Sequence, residues 1–250
     1  MTTDQIIALA SSIGACSSAI ATLLTVREMS KQRAASYRPE LAFPRIVFTA
    51  TKNPASSSDI PSHWTIKTET KDQENSGKII ARTDLRIPVR NVGLGAARNV
   101  SIAWTFPIQK IATDINFFAQ KCTPQESVEY NGNIFSITKS NKTNQASIWK
   151  NQQSANIDFV LPAPDQNDPT SISLPHAYQL ACSSLIYYSS KTPADTISFD
   201  LPELKATTTY MDIAGIQHQR IYKFQICIHH VALPDCEFEG SVECSIDDSE

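Results

Sequence analysis

A mainly β protein, in which an N-terminal transmembrane α-helix precedes an antiparallel β-sandwich with two short helical insertions, is the fold class this sequence predicts. Three observations lead there. Residues 5–26, QIIALASSIGACSSAIATLLTV, contain no charged side chain and lie between Asp4 and Arg27. Beyond residue 38, apolar residues recur at every second position in several segments, as they do in strands with one buried face. Two stretches opened by Pro107 and Pro175 depart from that alternation and read as helices. The chain therefore divides into a short tail (1–4), a transmembrane helix (5–26), a basic juxtamembrane segment (27–37) and a β-sandwich domain (38–250).

At ~1.5 Å per residue, the helix over 5–26 reaches roughly 33 Å and matches a hydrocarbon core of about 30 Å. A secretory signal peptide would need a basic region ahead of the apolar run, and only Met1, Thr2, Thr3 and Asp4 precede it here. A buried helix of a soluble protein normally shows a charged face within this length, and none appears before Arg27. After the run come Arg27, Lys31, Arg33 and Arg38, opposed by Glu28. Positive flanks stay cytoplasmic, so the expected placement is a single pass through the inner membrane, N-terminus outside and C-terminal domain inside. The same four basic residues are candidates for contact with anionic headgroups, although setting topology is reason enough for them.

Within the run, Ala8, Ser12, Ala15, Ala19 and Thr22 recur at spacings of four and three, while Ile6, Leu9, Ile13, Ile20 and Leu24 lie on a broadly different side. A stripe of small residues lets helix backbones approach closely in lipid, so self-association through it is expected, with a plain anchor as the simpler alternative. The span holds no ionisable residue, which removes the usual marker of an ion pathway.

The net charge of −3 gives no electrostatic footprint for nucleic acid, which is not an expected partner. Glu237, Glu239, Glu243, Asp247, Asp248 and Glu250 crowd the C-terminal end and read as solvated strand faces and tail. Six cysteines, at 16, 122, 182, 227, 236 and 244, form no CxxC pairs; with Cys16 in the membrane, the odd remainder fits reduced thiols in a cytoplasmic domain.

Taken in order, the expected strands are Arg45 to Thr51, Trp64 to Thr70, Leu85 to Arg90, Val100 to Phe106, Ile134 to Lys139, Ile157 to Leu161, Leu204 to Tyr210, Tyr222 to His229 and Phe238 to Ile246. In Leu85-Arg86-Ile87-Pro88-Val89-Arg90, for example, the odd positions are apolar and the even ones basic or proline. After Pro107, residues Ile108, Ile111, Ala112, Ile115 and Phe118 share one helical face, and a second helix runs from Pro175 to about Tyr188. Residues 53–58 and 162–169 are rich in turn formers and read as loops.

The run LRIPVRNVGLGAARNVSIAWTF, with Asn91-x-Gly93-x-Gly95 between two alternating strands, resembles bacterial Ig-like domains of the cell-adhesion-related (CARDB-like) kind. That resemblance implies an Ig-like sandwich and specifies no chemistry. The segment LPELKATTTYMDIAGIQHQRIYKFQICI similarly looks like a hairpin of membrane-anchored bacterial proteins, with Tyr210, Asp212 and Gly215 at its turn. Asn91, Gly93, Gly95, Asp212 and Gly215 are thus turn residues, and the two glycines of the first turn are ascribed to backbone angles that other residues adopt at a cost. They make no phosphate loop, because the third glycine and the following helix are missing.

Cys227, His229 and Cys236 are weak candidates for metal ligands, lacking the paired knuckles of zinc sites, and no cofactor is expected. No nucleophile elbow, Walker sequence or HExxH is present, so no catalytic residue is assigned. The functional expectation is a membrane-anchored cytoplasmic binding, sensor or scaffold module, homo-oligomeric through its helix, that recognises a protein or small molecule. The alternatives are a membrane-perturbing effector of an anti-phage system and an atypical metal-dependent hydrolase.

Overall fold

Helix α1 (Thr3–Ser36) opens the structure, a computed structural model that describes residues 2–53, 58–67, 85–140, 142–163, 170–192, 200–232 and 236–247. Its 34 residues contain the expected apolar run and continue ten residues past Val26, about 15 Å further. Every described side chain on it is exposed, so the domain covers none of those. The most apolar 18 residues of α1 have a mean hydropathy of 1.8, so by length and composition the helix is able to cross a membrane. The Thr22 and Thr25 hydroxyls donate to the carbonyls of Ser18 and Ala21, both at 2.9 Å, which satisfies them without water.

The domain is mainly β and built from several sheets in a sandwich-like arrangement. Its largest sheet takes β2 (Ile46–Thr51), β3 (His63–Ile66), β6 (Ala97–Thr105), β10 (Ser154–Val160), β12 (Leu204–Met211), β13 (Gln217–Ala232) and β14 (Glu237–Ile246). They run in the order β10-β6-β12-β13-β14-β2-β3, with every neighbouring pair antiparallel. Alternation is the reason these residues form this sheet: Val100, Ile102 and Trp104 of β6 and Tyr222, Phe224 and Ile226 of β13 all face inward. Two irregularities re-phase it. Asn99, at φ 50°, lies beside a register shift between β6 and β12, and a second shift sits in β13 between Ile228 and His230.

Smaller sheets complete the envelope. β7 (Glu126–Tyr130), β8 (Ile134–Lys139) and β9 (Lys142–Ile148) form one. The strand expected over 85–90 is two pieces, β4 (Arg86–Pro88) and β5 (Arg90–Asn91), which pair with β11 (Ser171–Ser173) and β1 (Leu41–Ala42) respectively. Pro88 has no N–H for a continuous ladder, and the N–H of Val89 turns to the carbonyl of Thr170 at 2.7 Å. The sequence reading missed β1, β7, β9 and β11. β7 and β9 are too polar for the period-two signal, with Val128 the one buried apolar side chain of ESVEY.

Both expected helices form. α2 (Ile108–Cys122) buries Ile108, Ile111, Ala112, Ile115 and Ala119, and the Asn116 amide clips it to the backbone of Val128 through two 2.7 Å bonds. α3 (His176–Lys191) lies in the core, buried without interruption from Ala177 to Tyr188. Its polar residues carry partners inward: Trp64 Nε1 donates to the Ser183 hydroxyl at 2.8 Å, which donates to the carbonyl of Pro61 at 2.8 Å. The expected strand beyond Trp64 is described as far as Ile66; residues 68–70 and most of both expected loops lie outside the described residues.

Glu126 fastens β7 to α3 and β8, accepting from the Tyr188 hydroxyl at 2.7 Å and from Lys139 at 2.9 Å. Burial works to raise this carboxyl, but the hydrogen bonds from Lys139, Tyr188 and Thr123 outweigh it and hold it below its ordinary value of 4.5. A lowered native value stabilises the fold above the unfolded value and is lost as pH falls through the native one. Tyr188→Phe should therefore cost about 1.5–3 kcal/mol at neutral pH. In urea melts of the full chain in detergent, the gap between variant and wild type should shrink below about pH 4.5, as Glu126 becomes protonated.

Candidate functional site

Between α1 and the sheets the chain passes through residues 37–42, and this passage is held through its backbone, with Pro39 and Leu41 buried. Asn91 is completely buried. Its Oδ1 accepts the backbone N–H groups of Glu40 and Gly93, both at 3.0 Å, and its Nδ2 donates to the carbonyls of Gly95 at 2.7 Å and Val160 at 3.2 Å. The amide thereby fills both donor and both acceptor positions, which fixes its orientation. Strand pairing adds Leu41 opposite Asn91, and the Val92 N–H donates to the Glu40 carbonyl at 2.8 Å.

The main sheet reaches the same passage with two tyrosines. Tyr210 donates to the carbonyl of Pro39 at 3.2 Å and Tyr222 to that of Leu41 at 2.8 Å. Burial pushes both phenols above their usual range, so both remain donors. Arg220 pairs with Glu40 at 3.6 Å. Behind Tyr210, the β12–β13 hairpin is braced in turn. Asp212 accepts the Ile216 N–H at 2.8 Å and meets His218 at 3.0 Å, and the His218 ring stacks on Tyr210 at 5.4 Å. Gly215 adopts φ +82°, which closes the turn.

The expectation that Gly93 and Gly95 serve unusual backbone angles is corrected. Among the described residues, the glycines at positive φ are Gly132 and Gly215. What the first turn needs is closeness: a Cβ on Gly95 would lie 1.9 Å from the Tyr37 carbonyl oxygen, and one on Gly93 would lie 2.3 Å from that of Arg38. The turn is a saddle in which the chain leaving α1 rests.

The other expected site residues fall on either side of this clasp. Arg27, Lys31 and Arg33 stand exposed along the last turns of α1, Lys31 within 3.9 Å of Glu28, and Arg38 is exposed on the clasp itself. Ala15, Ala19 and Thr22 line a shallow groove along α1 with Ser18, Leu23 and Val26, and Ser12 lies on the same exposed helix. Ala8 lies in α1, with its side chain outside the described residues.

The structure does not bring Cys227, His229 and Cys236 together. Cys236 is buried against the Ser190 hydroxyl of α3, at 3.3 Å. His229 is exposed on β13, 3.0 Å from Ser241 and 3.3 Å from Arg45. Among the described residues, no three His, Cys, Asp or Glu side chains are grouped to hold a metal. The Ser241–His229 contact also lacks the build of a nucleophile. Ser241 is inaccessible, and Glu243 contacts Arg45 at 3.3 Å and Ser241 at 3.4 Å instead of backing the imidazole. The acidic C-terminal residues likewise make pairs: Glu239 with Lys67 at 2.9 Å, and Asp247 with Lys223 at 2.8 Å and Lys205 at 3.6 Å.

A cleft of about 600 Å³ opens at the other end of β6 and β12. Phe106, Ile111 and Leu201 give it an apolar floor, while Lys110, Asp114 and Glu203 supply charge of both signs. Its size is that of a small-ligand site. Thr105 and Lys205 line this cleft, whereas Ala97 and Tyr210, on the same two strands, stand at the clasp. The separation is about 26 Å along β6 and 17 Å along β12.

No family profile, curated protein or solved structure matches this chain. The geometry therefore defines the class by itself: a mainly β domain clasped to an apolar N-terminal helix.

Asn91→Ala removes four hydrogen bonds from a buried site and should destabilise the domain by about 2–4 kcal/mol in denaturant melts. Gly95→Ala should expose residues 37–40 to limited proteolysis at protease concentrations that leave the wild-type passage intact, because the new Cβ and the Tyr37 carbonyl occupy the same space.

Proposed function

We propose that this chain is a membrane-anchored cytoplasmic binding module of the sensor type, in which α1 spans the inner membrane with its N-terminus outside. The distal cleft receives a small ligand with an apolar body and charged groups, and the chain self-associates through the small-residue side of α1. The observation that carries this reading is the clasp. A tether needs only length and solvation, whereas residues 37–42 are held by a filled Asn91 amide, two buried tyrosines and a glycine saddle. Such a connection is useful where movement of the domain has to move the helix. The role is binding and not catalysis.

The same coupling would serve a membrane-perturbing effector of anti-phage defence, in which ligand-driven clustering of α1 disturbs the bilayer. The groove along Ala15, Ala19 and Thr22 is the observation that favours it.

Placement is tested by fractionating cells that express the full chain with a C-terminal tag. The expected result is membrane retention, with the tag protected from protease in intact spheroplasts and cleaved after lysis. A soluble chain, or a tag cleaved in intact spheroplasts, overturns it. Ala15→Leu with Ala19→Leu should reduce in-membrane crosslinking between copies and, for an effector, abolish toxicity.

A further inference from the structure

We infer that the clasp end of the domain is itself a membrane-contacting surface, so that the domain docks by its rim on the leaflet from which α1 emerges. This rests on α1 spanning the bilayer.

Three loops meet at that end. The Asn91 amide ties the turn after β5 to the end of β10 through Gly95 and Val160, and Phe159, Arg98 and Met211 lie side by side across β10, β6 and β12. The turn after β5 and the β12–β13 turn each hold two large apolar side chains out to solvent, and the end of β10 with the residue after it holds two more. Val92 and Leu94 are 58% and 65% exposed, Phe159 and Leu161 57% and 39%, and Ile213 and Ile216 54% and 53%. Clustered exposure of this kind on a monomer surface marks a contact.

The charges around the rim fit a lipid headgroup layer. Arg38, Arg90 and Arg98 are exposed there. Among the described residues the neighbouring acids are Glu40, paired with Arg220, Asp212, hydrogen-bonded to His218, and the exposed Asp158. Apolar tips among arginines suit the boundary between acyl chains and anionic phosphates.

The occupant follows from continuity with α1. The helix joins the domain at this rim, since Gly95 packs on Tyr37 directly after Ser36. The ten residues after Val26 span about 15 Å, and a headgroup layer is about 5–8 Å deep on each side. The rim therefore meets the interface when this stalk inclines, which Arg27, Lys31 and Arg33 favour by lying against the same headgroups.

The test places p-benzoylphenylalanine at Leu94 or at Ile213 of the full chain in vesicles containing phosphatidylglycerol. Thr113, exposed on α2 next to the distal cleft, serves as the reference position. Irradiation should yield lipid adducts at 94 and 213 and none at 113. Adducts to a second copy at 94 and 213, or no lipid adducts from a chain that resists alkaline carbonate extraction, overturn the docking and leave the anchor standing. Extraction by carbonate overturns both. With the probe at Phe159, the exposed pair L94E and I213E should abolish the lipid adduct, and an unchanged adduct overturns the inference.

Discussion

A seven-stranded sheet with one apolar face needs a second layer, and in this protein that layer is centred on a helix buried on every side. α3 packs against the face that presents Phe48, Trp64, Trp104, Phe224 and Phe238, where Phe48 and Trp64 stack at 4.3 Å and Phe238 meets Trp64 edge-on at 5.8 Å. A helix buried all round cannot carry a solvated polar stripe, so its polar residues must find partners inside. Ser183 finds Trp64 and Pro61, Tyr178 finds the carbonyl of Pro202, and the Gln179 Nε2 finds that of Leu174 while its Oε1 stays buried without a partner among the described residues. These bonds set where β3 and the approach to β12 lie against the core. The small sheet is held to the same helix through Tyr188 and Glu126.

With the inner face fixed by α3, the two ends of β6 and β12 are the places where the clasp and the cleft are built. At one end stands the clasp, at the other the mixed-charge cleft, and the same two adjacent strands touch both. Antiparallel strands in register transmit displacement along their length, because sliding one by a single residue would turn its buried face outward. Lys205 at the cleft and Tyr210 at the clasp lie on the one strand β12, and the Tyr210 hydroxyl reaches the carbonyl of Pro39. The register shift between Thr209 and Met211 lies directly beside that contact.

Much of this architecture was legible in the chain. The charge-free run, the alternation in β6, β12 and β13, and the proline-opened helices all read through, since each is a local pattern repeated over several residues. What stayed hidden was pairing at a distance. The ladder gave no sign that Val89 divides one alternating segment between two sheets, because the break depends on Thr170 lying opposite. The Asn-x-Gly-x-Gly turn was visible, but its purpose was misread. Its glycines answer to the backbone of residues 37–40, some fifty positions away in sequence, which no local spacing encodes. Tyr222 and His218 were legible only as one member of an alternation and an isolated histidine. Their roles in the clasp come from the packing of β13 against the chain leaving α1.

Rigid attachment changes what a ligand can accomplish. A ligand shifts a conformational equilibrium only by the difference between its affinities for the two states, and a flexible linker would dissipate that difference before it reached the membrane. With Leu41 and Ala42 paired to β5 and the backbone of Pro39 and Glu40 hydrogen-bonded to Tyr210 and Asn91, a ligand that favoured one arrangement of the domain would, on the proposed function, bias the placement of α1. On the proposed function, membrane confinement and self-association would raise the local concentration of neighbouring helices, so that a modest bias per chain would alter how they pack. The filled Asn91 amide matters here because a half-satisfied one would let the passage fray and uncouple the two parts.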